Sequence, residues 1–273
     1  MDYFYSILAG IIQGLTEFLP VSSSGHLVLF HDFLGFDLPD NVAFDVVLHL
    51  GTLVALVLFF FKDILKYLKA FIQSLYQWNL KNNKDQLLAW YLLLGTIPAA
   101  VMGYFFESEI ETGLRNSLFV AVSLIVVGLL LWFADSFFAK TKQIQEMTLT
   151  NSLIIGFAQT LALIPGVSRS GITIIAGLSQ RLKRTDAARF SFLLSIPIVF
   201  AAGIKKTIDL ANDAAFASSD YLILLAGFLS SAIIGYLCIK YFLQFLQEHT
   251  LKVFVFYRIA LGTIILLIIL FSK

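Results

Sequence analysis

Six apolar runs of roughly membrane-crossing length govern what this chain can fold into: Val42–Phe61, Leu87–Phe106, Leu118–Phe138, Phe190–Ile204, Tyr221–Leu243 and Val253–Phe271. A helix needs about 20 mainly apolar residues to cross a bilayer, and in lipid only a helix or a closed barrel satisfies its own backbone. Runs of this length in 273 residues imply an all-α polytopic membrane protein, read as a single integral membrane domain over 1–273. The charge content agrees: 14% of residues are charged, against about 25% in soluble domains.

A formal net charge of +1 gives no basic field and excludes nucleic acid as a partner. The lone Cys238 lies inside an apolar run, so no intramolecular disulfide forms. No Lys or Arg precedes the first hydrophobic stretch, so that stretch is not a cleaved signal peptide and is expected to be retained. Loops carrying Lys62, Lys66, Lys69, Lys81 and Lys84, then Lys140 and Lys142, then Arg181, Lys183, Arg184 and Arg189 are expected on the cytoplasmic side. Six spans then leave both termini outside. The Lys205–Lys206 pair is the exception to this charge rule.

Two further apolar segments fall outside the six spans. Phe4–Leu34 is broken by "PVSSSGH", and Leu153–Leu178 is broken by "PGVSRSG". Both ends of each must return to one side, which describes a re-entrant helical hairpin. The two are also alike. With an offset of 146 positions, Gly10, Gln13, Leu15, Val21, Ser22, Ser24 and Gly25 fall on Gly156, Gln159, Leu161, Val167, Ser168, Ser170 and Gly171. A looser echo pairs the strings around Pro98 and Pro197. The chain reads as a duplication, with repeat 1 at about 1–140 and repeat 2 at about 150–273. Each repeat is a hairpin followed by three spans. An odd number of spans between the hairpins makes the repeats inverted, an arrangement that places a binding site near the midplane.

If both hairpin tips reach the midplane, they bring together Gln13, Glu17, Ser22, Ser23, Ser24, Gly25, His26, Ser168, Arg169, Ser170, Gly171 and Thr173. Arg169 is a fixed cation with a planar fork suited to phosphate. Both serine clusters lead into a helix whose free N–H groups favour an anion. Glu17 repels phosphate unless it holds a divalent cation or serves as a base. Gln13 lies one turn before Glu17 on the same face and supplies an oxygen to a metal or orients the carboxylate. His26 stands three residues after Ser23, placed to take a hydroxyl proton.

Plainer readings stand beside these. Ser22 and Ser24 read equally well as turn and cap chemistry. Glu17 and Arg169 form either a functional pair or an ion pair joining the repeats, although ionisable groups at membrane depth are functional by default. Asp45 and His49, four residues apart on one face, are read slightly more readily as partners of each other than as catalytic groups. The 27 phenylalanines are mostly packing or lipid-facing residues.

"QGLTEFLPVSSSGH" and "PGVSRSGITI" resemble the paired motifs of the bacterial undecaprenyl-diphosphate phosphatases of the bacitracin-resistance type. The resemblance extends over essentially the whole chain and includes "FDVVLHLGT", "FSFLLSIP" and "FVFYRI". It implies removal of the terminal phosphate of undecaprenyl diphosphate, which recycles the carrier lipid for peptidoglycan synthesis. It also implies a divalent cation, magnesium or calcium, with Gln13 and Glu17 as holders. Glu17, Ser23, His26 and Arg169 fall on the family's catalytic positions, with Ser168, Ser170 and Thr173 around the arginine. The expected setting is the bacterial plasma membrane, with the site facing outward. Membrane lipids and the lipid substrate are the expected partners, and a homodimer is left open. Two rival classes are an acid-phosphatase-type lipid phosphatase and a transporter of prenyl phosphates. The first needs a His six residues after Arg169, where Ile175 stands. A transporter needs only the anion site.

Overall fold

A computed structural model describes residues 2–34, 41–114, 116–212 and 220–271. These form helices joined by short turns, and the only strand-like feature among them is a single bridge between Lys142 and Leu182. The first hairpin is α1 (Asp2–Phe18) and α2 (Ser23–Leu34). The second is α7 (Leu149–Thr160) and α8 (Arg169–Ser179), with a 3₁₀ turn at Leu161–Leu163 between them. At about 1.5 Å per residue, the 11 residues of α8 cover about half of a bilayer core.

Among the described residues, five helices are long and apolar enough to cross a membrane: α5 (Lys84–Leu114), α6 (Ser117–Phe137), α9 (Arg184–Asn212), α10 (Asp220–Glu248) and α11 (Lys252–Phe271). The sixth candidate is α3 (Asn41–Phe59), which bends by 75° into α4 (Phe61–Tyr76). The stretch after Phe61, read as a basic loop, is therefore a helix. Lys62, Lys66 and Lys69 share one stripe of α4, and Tyr67, Ala70 and Ser74 form its buried face. That face meets α5, where Trp90 Nε1 donates to Ser74 Oγ at 3.0 Å.

Helix α1 packs along α10, and α7 packs along α5. The two contacts are built alike. Ser6 donates to the Ile223 carbonyl at 2.6 Å, four residues before Gly227, which faces Gly10. Ser152 donates to the Tyr91 carbonyl at 2.5 Å, four residues before Gly95, which faces Gly156. A Cβ on Gly10 would collide with Ser230 and the Gly227 carbonyl, and one on Gly156 with the Gly95 carbonyl. Ser6 and Ser152 are themselves 146 positions apart, as are the buried pairs Phe44/Phe190 and Leu48/Leu194. The echo around Pro98 and Pro197 has a different origin. These prolines lie in α5 and α9, and the offset of 146 instead places Gly51 opposite Pro197. Both strings contribute residues to the lining of one cavity.

Several basic loops gather at one end of the molecule. Lys142 pairs with Leu182 there, Arg184 binds Asp135 at 2.6 Å, and Arg189 binds Asp63 at 2.6 Å. Asp135 also accepts the Leu251 N–H at 2.9 Å, which fastens the α10–α11 turn to the same end.

Candidate active site

The hairpins meet at their breaks in matching conformations. Ser22 and Ser168, equivalent under the offset, are both in the left-handed region, with φ of 78° and 75°. Outside glycine this conformation is uncommon, and it persists only where the surroundings enforce it. Each serine caps the helix that follows. Ser22 Oγ accepts from Gly25 N at 3.3 Å, and Ser168 Oγ accepts from Gly171 N at 3.1 Å. The cap reading of Ser22 is thus realised, and Ser24 and Ser170 each lie against their cap hydroxyl, at 3.3 and 3.1 Å. Gly25 and Gly171 spend their N–H groups on these caps. The helix-start donors left for an anion belong to residues 23, 24, 169 and 170.

The next residues, Ser23 and Arg169, are also equivalent under the offset, and both reach Glu17. Ser23 Oγ donates to Glu17 Oε2 at 2.7 Å, while Arg169 Nη2 donates to Glu17 Oε1. Gln13 Nε2 supports the same carboxylate, donating to Oε2 at 3.0 Å. His49 Nδ1 lies 3.5 Å from that oxygen and 2.9 Å from Gln13 Nε2. Glu17, only 8% exposed, is therefore a buried carboxylate held from four sides. Such a charge is tolerated at membrane depth because it is paired and hydrogen-bonded.

Other predicted residues lie elsewhere. His26 Nδ1 meets the Ser22 carbonyl at 2.7 Å, and Nε2 meets Tyr257 Oη at 2.6 Å. Its ring stacks on Tyr257, and the side chain that Ser23 meets is Glu17. Thr173 is fully buried and donates to the Arg169 carbonyl at 2.7 Å, so it fixes the backbone that carries the arginine. Asp45 engages His31 Nε2 at 3.0 Å, and His49 turns to Gln13 and Glu17 instead. Glu17, Ser22, Ser23, Ser24, His49, Ser168 and Arg169 line a cavity of about 590 Å³. Its remaining walls are largely apolar and come mainly from α3, α5 and α9, with Leu27 and Val28 of α2, Gln159 of α7 and residues of the second break.

One residue of the tip architecture went unread in the sequence. Arg258 of α11 is fully buried and donates to the carbonyls of Pro20, Gly166 and Val167, and to those of Leu124 and Ser123 on α6. It holds both hairpin breaks against α6 and α11. The available signal was an arginine inside the otherwise apolar "FVFYRIALGTII".

Residues 6–264 match the family model described as bacitracin resistance protein BacA. The chain belongs to this family. A protein of Teredinibacter turnerae named undecaprenyl-diphosphatase is 45% identical, with 97% of this chain and 98% of the relative aligned. Proteins of the same name from Rubrobacter xylanophilus and Geotalea daltonii are each 44% identical, over 99% and 100% of both chains respectively. In this BacA-family chain, the pairing of Glu17 with Ser23 and Arg169 joins the two breaks at one carboxylate.

The donors around Glu17 also suit a hard cation. Gln13 Oε1 is buried and meets no hydrogen-bond partner among the described residues, an oxygen left over one turn from the carboxylate. A magnesium-type ion takes one or two carboxylates and completes its shell with substrate phosphates and water. Glu17 and Gln13 fit that description.

Proposed function

We propose that this chain is an undecaprenyl-diphosphatase, hydrolysing undecaprenyl diphosphate to undecaprenyl phosphate and inorganic phosphate. The observation that carries the reading is Glu17 held between Ser23 and Arg169, which joins a nucleophile, its base and a phosphate-binding cation in one cluster. Full-length relatives of that name support it.

The mechanism follows from the bonds. Ser23 Oγ already donates to Glu17, so its proton passes to that carboxylate as the oxygen attacks the terminal phosphorus. The P–O bond to the bridging oxygen breaks, and the lipid monophosphate leaves with that oxygen. Water then cleaves the phosphoserine, using Glu17 again to move a proton. Arg169 has five N–H donors. It keeps one on Glu17 and turns others to the phosphate, where charge builds as the bond breaks. A divalent ion on Glu17 and Gln13 would neutralise phosphate oxygens. His49 steadies Gln13 and Glu17, and His26 with Tyr257 holds the start of α2.

The site is read as opening to the outer face of the bacterial plasma membrane. Its walls use Asp45 and His49 near the start of α3, Gly103 of α5 and Ala201–Gly203 of α9. Along their helices these residues stand far from the basic loop end, which the positive-inside rule places in the cytoplasm. The prenyl chain is read as lying between α5 and α9.

Phosphate release from undecaprenyl diphosphate by the purified protein in detergent tests the reading. Wild type should release phosphate and a chelator should stop it. Ser23→Ala should lose at least about a thousandfold in kcat, and Arg169→Ala about a hundredfold or more. Substantial activity in Ser23→Ala would make water the nucleophile. No release from folded wild type would overturn the enzyme and leave a prenyl-phosphate transporter.

A further inference from the structure

Gln159, the counterpart of Gln13 in the second hairpin, is set differently from it. It is 2% exposed, and neither its amide nitrogen nor its amide oxygen meets a hydrogen-bond partner among the described residues. A fully orphaned amide is costly to bury and calls for an explanation. Gln13 has partners because Glu17 and His49 stand beside it. Under the offset of 146, Leu163 and Ser195 occupy those two places. Leu163 cannot accept a hydrogen bond, and Ser195 Oγ donates to the Phe192 carbonyl at 2.7 Å. The second half has kept the glutamine and dropped the groups that would engage it.

What Gln159 does face is the cavity, which it lines together with Arg169 and Ser23. Its position in that cavity is set by its neighbours on the first arm. Gly156 packs on Gly95 of α5, and a Cβ on Gly103 of α5 would lie 3.9 Å from Leu163 Cδ2. Gln159 lies between these two contacts, one turn from each along the arm. It therefore sits about level with Ala99, one turn before Gly103 on α5, and both of these residues line the same cavity. Its amide is a buried, unpartnered group in a largely apolar part of the cavity wall.

We infer that Gln159 binds the phosphate that stays on the lipid, its Nε2 donating to an oxygen of the prenyl-linked phosphate. This rests on the diphosphatase reading and divides the site between the two phosphates. Ser23, Glu17 and Arg169 act on the phosphate that leaves, and Gln159 holds the one that remains. The inner phosphate is bound in substrate and in lipid product alike, and its ester bond to the prenyl chain never breaks. Its contact should therefore appear in binding more than in turnover.

The test is Gln159→Leu, assayed in detergent beside wild type for hydrolysis, inhibition by undecaprenyl phosphate, inhibition by inorganic phosphate, and thermal unfolding. The Leu variant should unfold no lower than wild type, since it replaces an unsatisfied amide with an apolar group of similar size. Its KM should rise about tenfold, the loss of one hydrogen bond, with kcat within about threefold. Inhibition by undecaprenyl phosphate should weaken by a similar factor, and inhibition by inorganic phosphate should not change. An unchanged KM and unchanged lipid-product inhibition would overturn the assignment. So would a fall in kcat alone, or a lower unfolding temperature, which would make Gln159 a packing residue. If wild type itself releases no phosphate, the diphosphatase reading fails, a result distinct from any of these.

Discussion

Glu17 is the residue that both hairpins contact, and the two jobs assigned to it are read by two measurements on one variant. Glu17→Gln keeps size and shape but removes the charge that balances Arg169 and the base that takes the Ser23 proton. Activity should fall by at least a hundredfold. Stability should fall as well, because breaking a buried pair on one side costs about 3–5 kcal/mol, and thermal unfolding in detergent reads this second effect. Arg258→Met strips donors from the carbonyls of both breaks and should cost at least about 3 kcal/mol, read from the same unfolding curves. Glu17, Ser23 and Arg169 were legible in the sequence because polar groups at a break between apolar arms have few other reasons to be there. His26 was not placed correctly by its spacing alone. The positions of Ser23 and His26 along α2 say nothing of which way the ring turns, and that depends on Tyr257, 231 positions away. Arg258 stood out as an arginine in an apolar run, but its partners were not legible, because they are backbone carbonyls and leave no trace in residue types.

Among the elements, α4 departs most from its reading as a loop, because three faces of one helix were reduced to a count of lysines. Tyr67, Ala70 and Ser74 pack inward, while Phe61, Leu65, Leu68, Ile72 and Leu75 form an exposed apolar stripe. Lys62, Lys66 and Lys69 lie between the two faces, and the spacing i, i+4, i+7 would have disclosed a helix. An apolar stripe edged by lysines is the pattern of a helix lying in a membrane interface. The 75° turn away from α3 suits that position. Nitroxide labels in proteoliposomes check it. A label at Leu68→Cys should be relaxed by oxygen dissolved in lipid, and one at Lys69→Cys by a water-soluble nickel chelate. Equal access of the chelate to both sites would remove α4 from the interface. The six runs foretold the spanning helices because length and hydropathy suffice for that. The partners of those helices were not legible, since the pairing of α1 with α10 depends on a serine, a glycine and a carbonyl meeting across the fold.

For the molecule as a whole, the offset of 146 explains how one cluster can carry opposite charges. Each half supplies the same scaffold: a small-residue arm seated on the other half's middle helix, a left-handed serine cap, and a helix beginning at the break. On that common frame the first half places Glu17 and Ser23, and the second places Arg169 and the bare amide of Gln159. The matched backbone features thus provide geometry, and the few side chains that differ between the matched positions distinguish the two breaks. The space between the halves continues past the polar cluster into walls of Ala99, Ala100 and Gly103 on α5 and Ala201, Ala202 and Gly203 on α9. Small residues on both helices leave width for a prenyl chain, so filling that width should select against long chains without touching the phosphate cluster. Gly103 is the place to test this, because its nearest side-chain neighbour, Leu163 Cδ2, would lie at an ordinary contact distance of 3.9 Å from an added Cβ. Gly103→Leu should therefore fold and unfold like wild type. Its KM for undecaprenyl diphosphate should rise about tenfold, while a prenyl diphosphate whose chain is too short to reach Gly103 should be hydrolysed with little change. If both substrates lose activity equally, the wall at Gly103 serves the phosphates, and the prenyl chain leaves the cavity by another side.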